Sequence, residues 1–210
     1  MKIVVFGATG TTGLMICEKA LQAGHHVTAF ARSPFKVTLT HPNLSVVQGE
    51  VYDPKHVEEA IKGKDAVISC VGVAFTRKPV TIYSTTARHI IDAMQQHSVR
   101  RFICVSSGGT KDGWNSRNPF FFEFVLKPLF HTLYDDMREM EKIVMATDLD
   151  WTVLRPSKLL NKPATGKVRL GVDEFSLKRG GLVSREDLAN HAVLQLEQTD
   201  LIGHAVAIAD

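Results

Sequence analysis

The run "VVFGATGTTGL", Val4 to Leu14, sets three glycines, Gly7, Gly10 and Gly13, between an apolar segment and one of helical period. Such a turn meets three needs: the chain reverses sharply, a ligand approaches bare backbone, and the following helix packs closely on the strand. Each is met by a residue without Cβ. Open N–H groups and the positive end of the helix dipole then favour phosphate. Gly7, Thr9, Gly10, Thr11, Thr12 and Gly13 are therefore expected to hold the diphosphate of a dinucleotide.

Apolar runs rich in Val and Ile continue along the chain at Lys2–Phe6, His26–Phe30, Leu44–Gln48, Ala66–Val71, Arg101–Val105 and Trp151–Leu154. Helical patterns lie between them at Leu14–Ala23, Pro54–Ile61, Ile82–Gln96 and Tyr134–Ala146. A capped start at Ser184 to Asp187 announces a helix over Leu188–Leu196, and Ala205–Ala209 reads as a closing strand. Strands apolar on both faces and separated by helices require a parallel sheet covered on both sides. The expected fold class is α/β, a doubly wound and mostly parallel sheet in a single domain over residues 1–210. Thr11 and Thr12 are read as caps of the first helix, Gly24 as its stop, and Pro54 after Asp53 as the start of the second.

Composition narrows the function classes. With 210 residues, 44% hydrophobic and 22% charged, the chain matches an ordinary globular domain. Its formal charge of +3 is carried by dispersed Lys and Arg, which leaves no footprint for nucleic acid. No run approaches the roughly 20 apolar residues that cross a bilayer. Cys17, Cys70 and Cys104 are widely spaced and form no C-x-x-C pair, so they read as reduced thiols. Together with a start that lacks a signal-peptide pattern, this implies a cytoplasmic protein. The nine histidines include no H-E-x-x-H spacing, and no metal is expected. His25 and His26 read as surface or packing residues.

The cofactor is chosen at the end of the second apolar run, Thr28-Ala29-Phe30-Ala31-Arg32-Ser33. A carboxylate there would accept bonds from the ribose hydroxyls of NAD; Arg32 instead suits a 2′-phosphate, which makes NADP(H) the expected cofactor. Glu50 and Val51 follow the third run, and Cys70, Val71 and Gly72 close the fourth, where each group is expected to meet the adenosine half. Ser106 and Ser107 stand just beyond the fifth run, placed to hydrogen-bond a carboxamide or a substrate carbonyl.

The segments "FGATGTTG", "AFAR", "VISCVG", "FICVSSGG", "DLDWTVLRPSKL", "VSREDLANHAV" and "GHAVAIAD" together resemble the atypical short-chain dehydrogenase/reductases. Within them the chain is most similar to NmrA-like proteins and to NADPH-dependent flavin reductases of the biliverdin reductase B type. The resemblance implies one Rossmann domain with a shallow pocket for a flat acceptor such as a flavin, quinone or tetrapyrrole. It also implies that Ser106 and Ser107 sit beside the nicotinamide, that Pro156 and Ser157 shape its far side, and that a lysine lies near the substrate. Lys127 is preferred for that role over Lys111.

The Tyr-x-x-x-Lys pair of ordinary short-chain reductases is altered or missing. The nearest string runs from Tyr134 to Arg138, while counting back from "DLDWTVLRP" puts Leu133 and Met137 on the two positions. Reduction of a flavin asks less of the protein than reduction of a ketone, because binding and orientation carry it. Asp135 and Asp136 read as charges at a helix start. Between Ser107 and Tyr134 an insertion, residues 110–133, carries Trp114, Phe120, Phe121, Phe122, Phe124 and Phe130, as either an aromatic lid or a buried helix face.

The expectation is thus an NADPH-dependent oxidoreductase, monomer or homodimer, with Ser106, Ser107 and Lys127 as catalytic residues and a small-molecule acceptor as partner. An NmrA-like sensor that binds NADPH without turnover is the alternative. An epimerase or dehydratase acting on a nucleotide sugar is a third reading, for which the chain is short.

Overall fold

The first strand, β1 (Lys2–Phe6), is buried from Ile3 to Phe6 and pairs in parallel on both sides, with β2 (His26–Ala31) and β4 (Ala66–Ser69). The computed structural model describes residues 1–74, 76, 78–110, 127–175, 177 and 181–210, the side chains of 127–130 excepted. The remaining elements are α1 (Thr11–Gln22), β3 (Leu44–Gln48), α2 (Pro54–Ile61), α3 (Ile82–Gln96), β5 (Arg101–Val105), α4 (Lys127–Met145) and β6 (Asp150–Pro156). After them come β7 (Lys158–Leu160), β8 (Arg169–Val172), β9 (Leu182–Ser184), α5 (Arg185–Leu194) and β10 (His204–Ala209).

Eight strands form one sheet in the order β3-β2-β1-β4-β5-β6-β10-β8, and β7 pairs with β9 in a small second sheet. All neighbours in the large sheet are parallel except β8, which runs antiparallel to β10 at the edge. This is the doubly wound α/β fold read from the sequence. Ile16, Cys17 and Ala20 of α1 and Leu188, Ala189 and Ala192 of α5 cover one face. On the other face Val57 and Ile61 of α2, Ile90 and Met94 of α3, and Met140 and Val144 of α4 bury Val4, Phe6, Val67 and Phe102. No helix among the described residues is long and apolar enough to cross a membrane.

Local signals set most helix ends. Asp53 accepts a hydrogen bond from the Lys55 amide ahead of Pro54, and Ser184 accepts one from the Asp187 amide. Gly24, at φ +83°, ends α1 through bonds from Gly24 N to Leu21 O and from His25 N to Ala20 O, both 3.0 Å.

Several boundaries differ from the sequence reading. The cap of α1 is Gly10, which offers no side chain, and Thr11 and Thr12 already belong to the helix. The helix read over Leu188–Leu196 starts at Arg185, directly after its cap. Helix α4 begins at Lys127 rather than Tyr134, so Asp135 and Asp136 lie in its interior and are not its first-turn charges. Buried Asp136 instead accepts from the backbone of Tyr83 at 2.8 Å and of Ser84 at 3.4 Å, and from the Ser84 hydroxyl. It is a helix-start charge after all, but for α3. Strands β7, β8 and β9 are additional; with three or four residues each they carry too little periodicity to announce themselves.

Candidate functional site

In a doubly wound sheet, ligands bind at the carboxyl ends of the strands where the winding direction reverses. Here that point lies between β1 and β4, and a cavity of about 710 Å³ opens there. Its walls come from the exits of four adjacent strands: Gly7 after β1, Ala31 to Ser33 after β2, Gly49 to Tyr52 after β3, and Cys70 to Ala74 after β4. Thr9, Gly10, Thr11, Thr12 and Gly13 form its floor at the start of α1.

The three glycines of the turn serve different purposes. Gly7 has φ +82°, and a Cβ on it would fall 2.6 Å from the Cys70 carbonyl oxygen. A Cβ on Gly13 would fall 2.2 Å from the Gly7 carbonyl oxygen, so helix and strand approach only without it. Gly10 differs: its nearest neighbour would be the Gly7 oxygen at 3.4 Å, an ordinary contact. The chain's own packing does not need a glycine there, and Gly10 lines the cavity.

Charge adds a second fit. Arg32, Lys36 and Arg185 line the cavity against a single carboxylate, Glu50, and none of the three cations forms an ion pair among the described residues. Burial in water-poor surroundings pushes the Cys70 thiol upward, so it stays neutral at the cavity wall. The residues present therefore suit a nucleotide that carries several phosphates. Gly7, Thr9, Gly10, Thr11, Thr12, Gly13, Arg32, Glu50, Val51, Cys70, Val71 and Gly72, all chosen from the sequence, meet in this cavity. Ser33, Lys36, Tyr52 and Arg185 were not foreseen; Lys36 sits in a single turn of 3-10 helix, Pro34–Lys36, four residues after Arg32.

The serines lie one strand further along the same rim, outside the lining of the cavity. Ser69 of β4 is in register with Cys104 of β5, so the two chains leave the sheet side by side. Side chains alternate at this exit. Ser106 turns inward: it is buried, and its hydroxyl donates to the Glu141 carboxylate. Its hydroxyl is thus committed inside the protein, contrary to the role of a free donor beside a nicotinamide. Ser107 is half-buried, accepts from the Gly109 amide at 3.1 Å, and bonds to the phenol of Tyr134. The Tyr134 ring lies against Gly109, where a Cβ would come within 2.6 Å of it. Burial raises the Tyr134 pKa, and the bond with Ser107 acts in the opposite sense.

The register counted back from "DLDWTVLRP" is therefore corrected. Leu133 is buried and Met137 packs against the core, whereas Tyr134 and Arg138 face the serine turn. Arg138 donates to the Thr110 carbonyl at 3.2 Å and pairs with Asp135 one turn back. Tyr134 and Arg138 thus place a Tyr-x-x-x-Arg string beside the serine turn.

Pro156 ends β6 in a buried position, and the Ser157 amide donates to the Ile208 carbonyl at 3.0 Å. Neither lines the cavity. Lys111, Trp114, Phe120, Phe121, Phe122 and Phe124 lie outside the described residues, as do the side chains of Lys127 and Phe130. Among the described residues no group of three His, Cys, Asp or Glu could hold a metal ion.

Known proteins share this fold. An uncharacterized chloroplastic protein of Arabidopsis thaliana is 30% identical across 100% of this chain and 78% of its own length. An uncharacterized sugar epimerase of Bacillus subtilis, YhfK, is 27% identical across 100% of this chain and 94% of its own. The oxidoreductase YlbE of Lactococcus lactis superposes with a TM-score of 0.84 at 19% identity, covering 100% of this chain and 91% of its own. A candidate NADH-flavin reductase of Streptococcus pneumoniae gives 0.81 at 24%, covering 100% and 99%. The family model described as NAD(P)H-binding matches residues 7–199, and the chain belongs to that family.

Proposed function

We propose that the protein is an NADPH-dependent oxidoreductase that delivers hydride to a flat conjugated acceptor such as a flavin or quinone. The observation that carries the reading is the combination, in one cavity, of a bare Gly10 with Arg32 and Lys36, neither of which forms an ion pair among the described residues. Gly7, Thr9, Gly10, Thr11, Thr12 and Gly13 hold the diphosphate, and Arg32 with Lys36 and Ser33 the 2′-phosphate. Glu50, Val51, Cys70, Val71 and Gly72 border the adenosine. Ser107, Pro156 and Ser157 border the nicotinamide.

When bound, NADPH supplies the hydride. The chain's own work is to bind, orient and exclude water. Ser107 and Tyr134 present hydroxyls at the acceptor end, and the raised phenol pKa keeps Tyr134 neutral as a hydrogen-bond donor. Arg138, which stands where a Tyr-x-x-x-Lys pair carries lysine, is engaged by the Thr110 carbonyl and by Asp135 and is not free to shift the phenol's proton. This favours acceptors whose reduction takes its proton from water over simple ketones.

The test mixes purified protein and NADPH with FMN and a panel of quinones. Loss of the reduced-nicotinamide absorbance is expected with at least one acceptor. Arg32→Ala should weaken NADPH far more than NADH. Uptake of NADPH with no turnover on any acceptor would replace the reductase with a redox sensor, and no uptake at millimolar concentration would end both readings.

A further inference from the structure

We propose that Arg185 is a diphosphate-binding residue, so that the nucleotide is held from the glycine turn on one side and from the carboxyl-terminal part of the chain on the other. This rests on the reading of the cavity as a dinucleotide site. Arg185 shares the cavity wall with Thr9 to Gly13, although 172 residues separate it from Gly13 in the sequence.

The small second sheet brings it there. Strands β7 and β9 run parallel with Leu160 opposite Ser184, so Asn161 and Arg185 leave the pair as neighbours. The Asn161 side-chain oxygen accepts from Nη1 of Arg185 at 2.7 Å. Fully buried Ser184 caps α5, accepting from the Asp187 amide at 2.8 Å, and this fixes Arg185 as the first residue of the helix.

The two neighbouring acids are taken by other groups. Asp187 accepts from the Thr165 amide at 2.8 Å, the Gly166 amide at 3.0 Å and the Ser184 hydroxyl at 2.8 Å. Glu186 accepts from Lys19 Nζ at 2.7 Å and from the Ala164 amide at 3.0 Å. Arg185 is left with a neutral amide on one corner and no carboxylate among the described residues. A guanidinium held at one corner keeps a preformed edge of N–H donors for a two-oxygen acceptor, which a diphosphate supplies.

The roles of the two arginines then separate by ligand. Arg32 reads a phosphate that only NADP carries, and Arg185 reads a group common to NADP and NAD. Calorimetric titrations with NADP⁺, NAD⁺ and 2′-AMP distinguish them. Arg185→Ala should weaken NADP⁺ and NAD⁺ by the same factor, about tenfold to a hundredfold, and leave 2′-AMP unchanged. Arg185→Lys should restore part of the loss, and Asn161→Ala should show the same pattern more weakly. Circular dichroism and the thermal midpoint confirm folding, and if Arg185→Ala does not fold, Arg185→Gln takes its place.

A folded variant that binds NADP⁺ within about twofold of wild type, or that loses NADP⁺ alone, overturns the assignment. Wild-type protein that takes up neither dinucleotide would instead overturn the reading of the cavity itself.

Discussion

Arg155 and Glu141 meet inside the protein, Nη2 to Oε2 at 2.7 Å, with each side chain only 5% exposed. Ser106 and Thr110 donate to the same carboxylate, while Arg155 donates to the Glu174 carbonyl and lies 3.9 Å over the Phe175 ring. One ion pair thus joins β6, α4 and the serine turn. Removing one partner leaves the other charged and buried, so Glu141→Ala should cost about 3–5 kcal/mol in urea unfolding. A loss below about 1 kcal/mol, the range of an exposed pair, would show that water reaches the site.

The glycine turn makes a paired prediction. Gly13→Ala puts a Cβ into the Gly7 carbonyl and should lower stability by about 1–3 kcal/mol or more. Gly10→Ala meets only ordinary contact at a φ of −77° and should leave the thermal midpoint nearly unchanged while sharply weakening NADP⁺. Equal affinity in the Gly10 variant would remove the reason given for a bare residue there.

Asp136 supplies the cap that Thr81, at the start of α3, does not make with its own side chain. Asp136→Ala should lose about 1–3 kcal/mol and speed hydrogen exchange at the Tyr83 and Ser84 amides. Unaltered exchange at those two amides would refute the cap.

Buried thiols and imidazoles predict a stability profile that declines at both ends. Burial pushes Cys17 from 9.0 up to about 12 and moves Cys104 in the same direction. Above pH 9 the unfolded chain releases protons that the folded one keeps, so stability falls by about 1.4 kcal/mol per pH unit for each such thiol. Buried His191, whose Nε2 has no hydrogen-bond partner among the described residues, has its pKa held below 6.5 by burial. Below that pH the unfolded chain binds a proton the folded one refuses, and stability falls again. Urea midpoints across the pH range measure both limbs, and Cys17→Ala should flatten the alkaline one. A profile level through pH 10 would contradict the burial of these thiols.

What could be read from the sequence was what short-range periodicity and turn chemistry encode. The run of both-face apolar strands gave the sheet, and the spacing of Gly7, Gly10 and Gly13 with Arg32 led to the cavity, because both signals sit at strand exits. Arg185 escaped, although its cap Ser184 was recognised, because strands of three residues bring it to the cavity. Counting back from "DLDWTVLRP" picks Leu133 and Met137, whereas Tyr134 and Arg138 face the serine turn, because sequence spacing alone does not fix the length of the connection between α4 and β6. Whether Ser106 or Ser107 turns inward depends on Glu141, some 35 residues away, and nothing local decides it.

Asp136 also gives the molecule a joint. Ile82, the first residue of α3, stands in the cavity wall, and Tyr134 stands two residues ahead of Asp136 on α4. The hydrogen bonds from the Tyr83 and Ser84 amides to this carboxylate therefore tie the start of α3, at the cavity wall, to the stretch of α4 that carries the phenol.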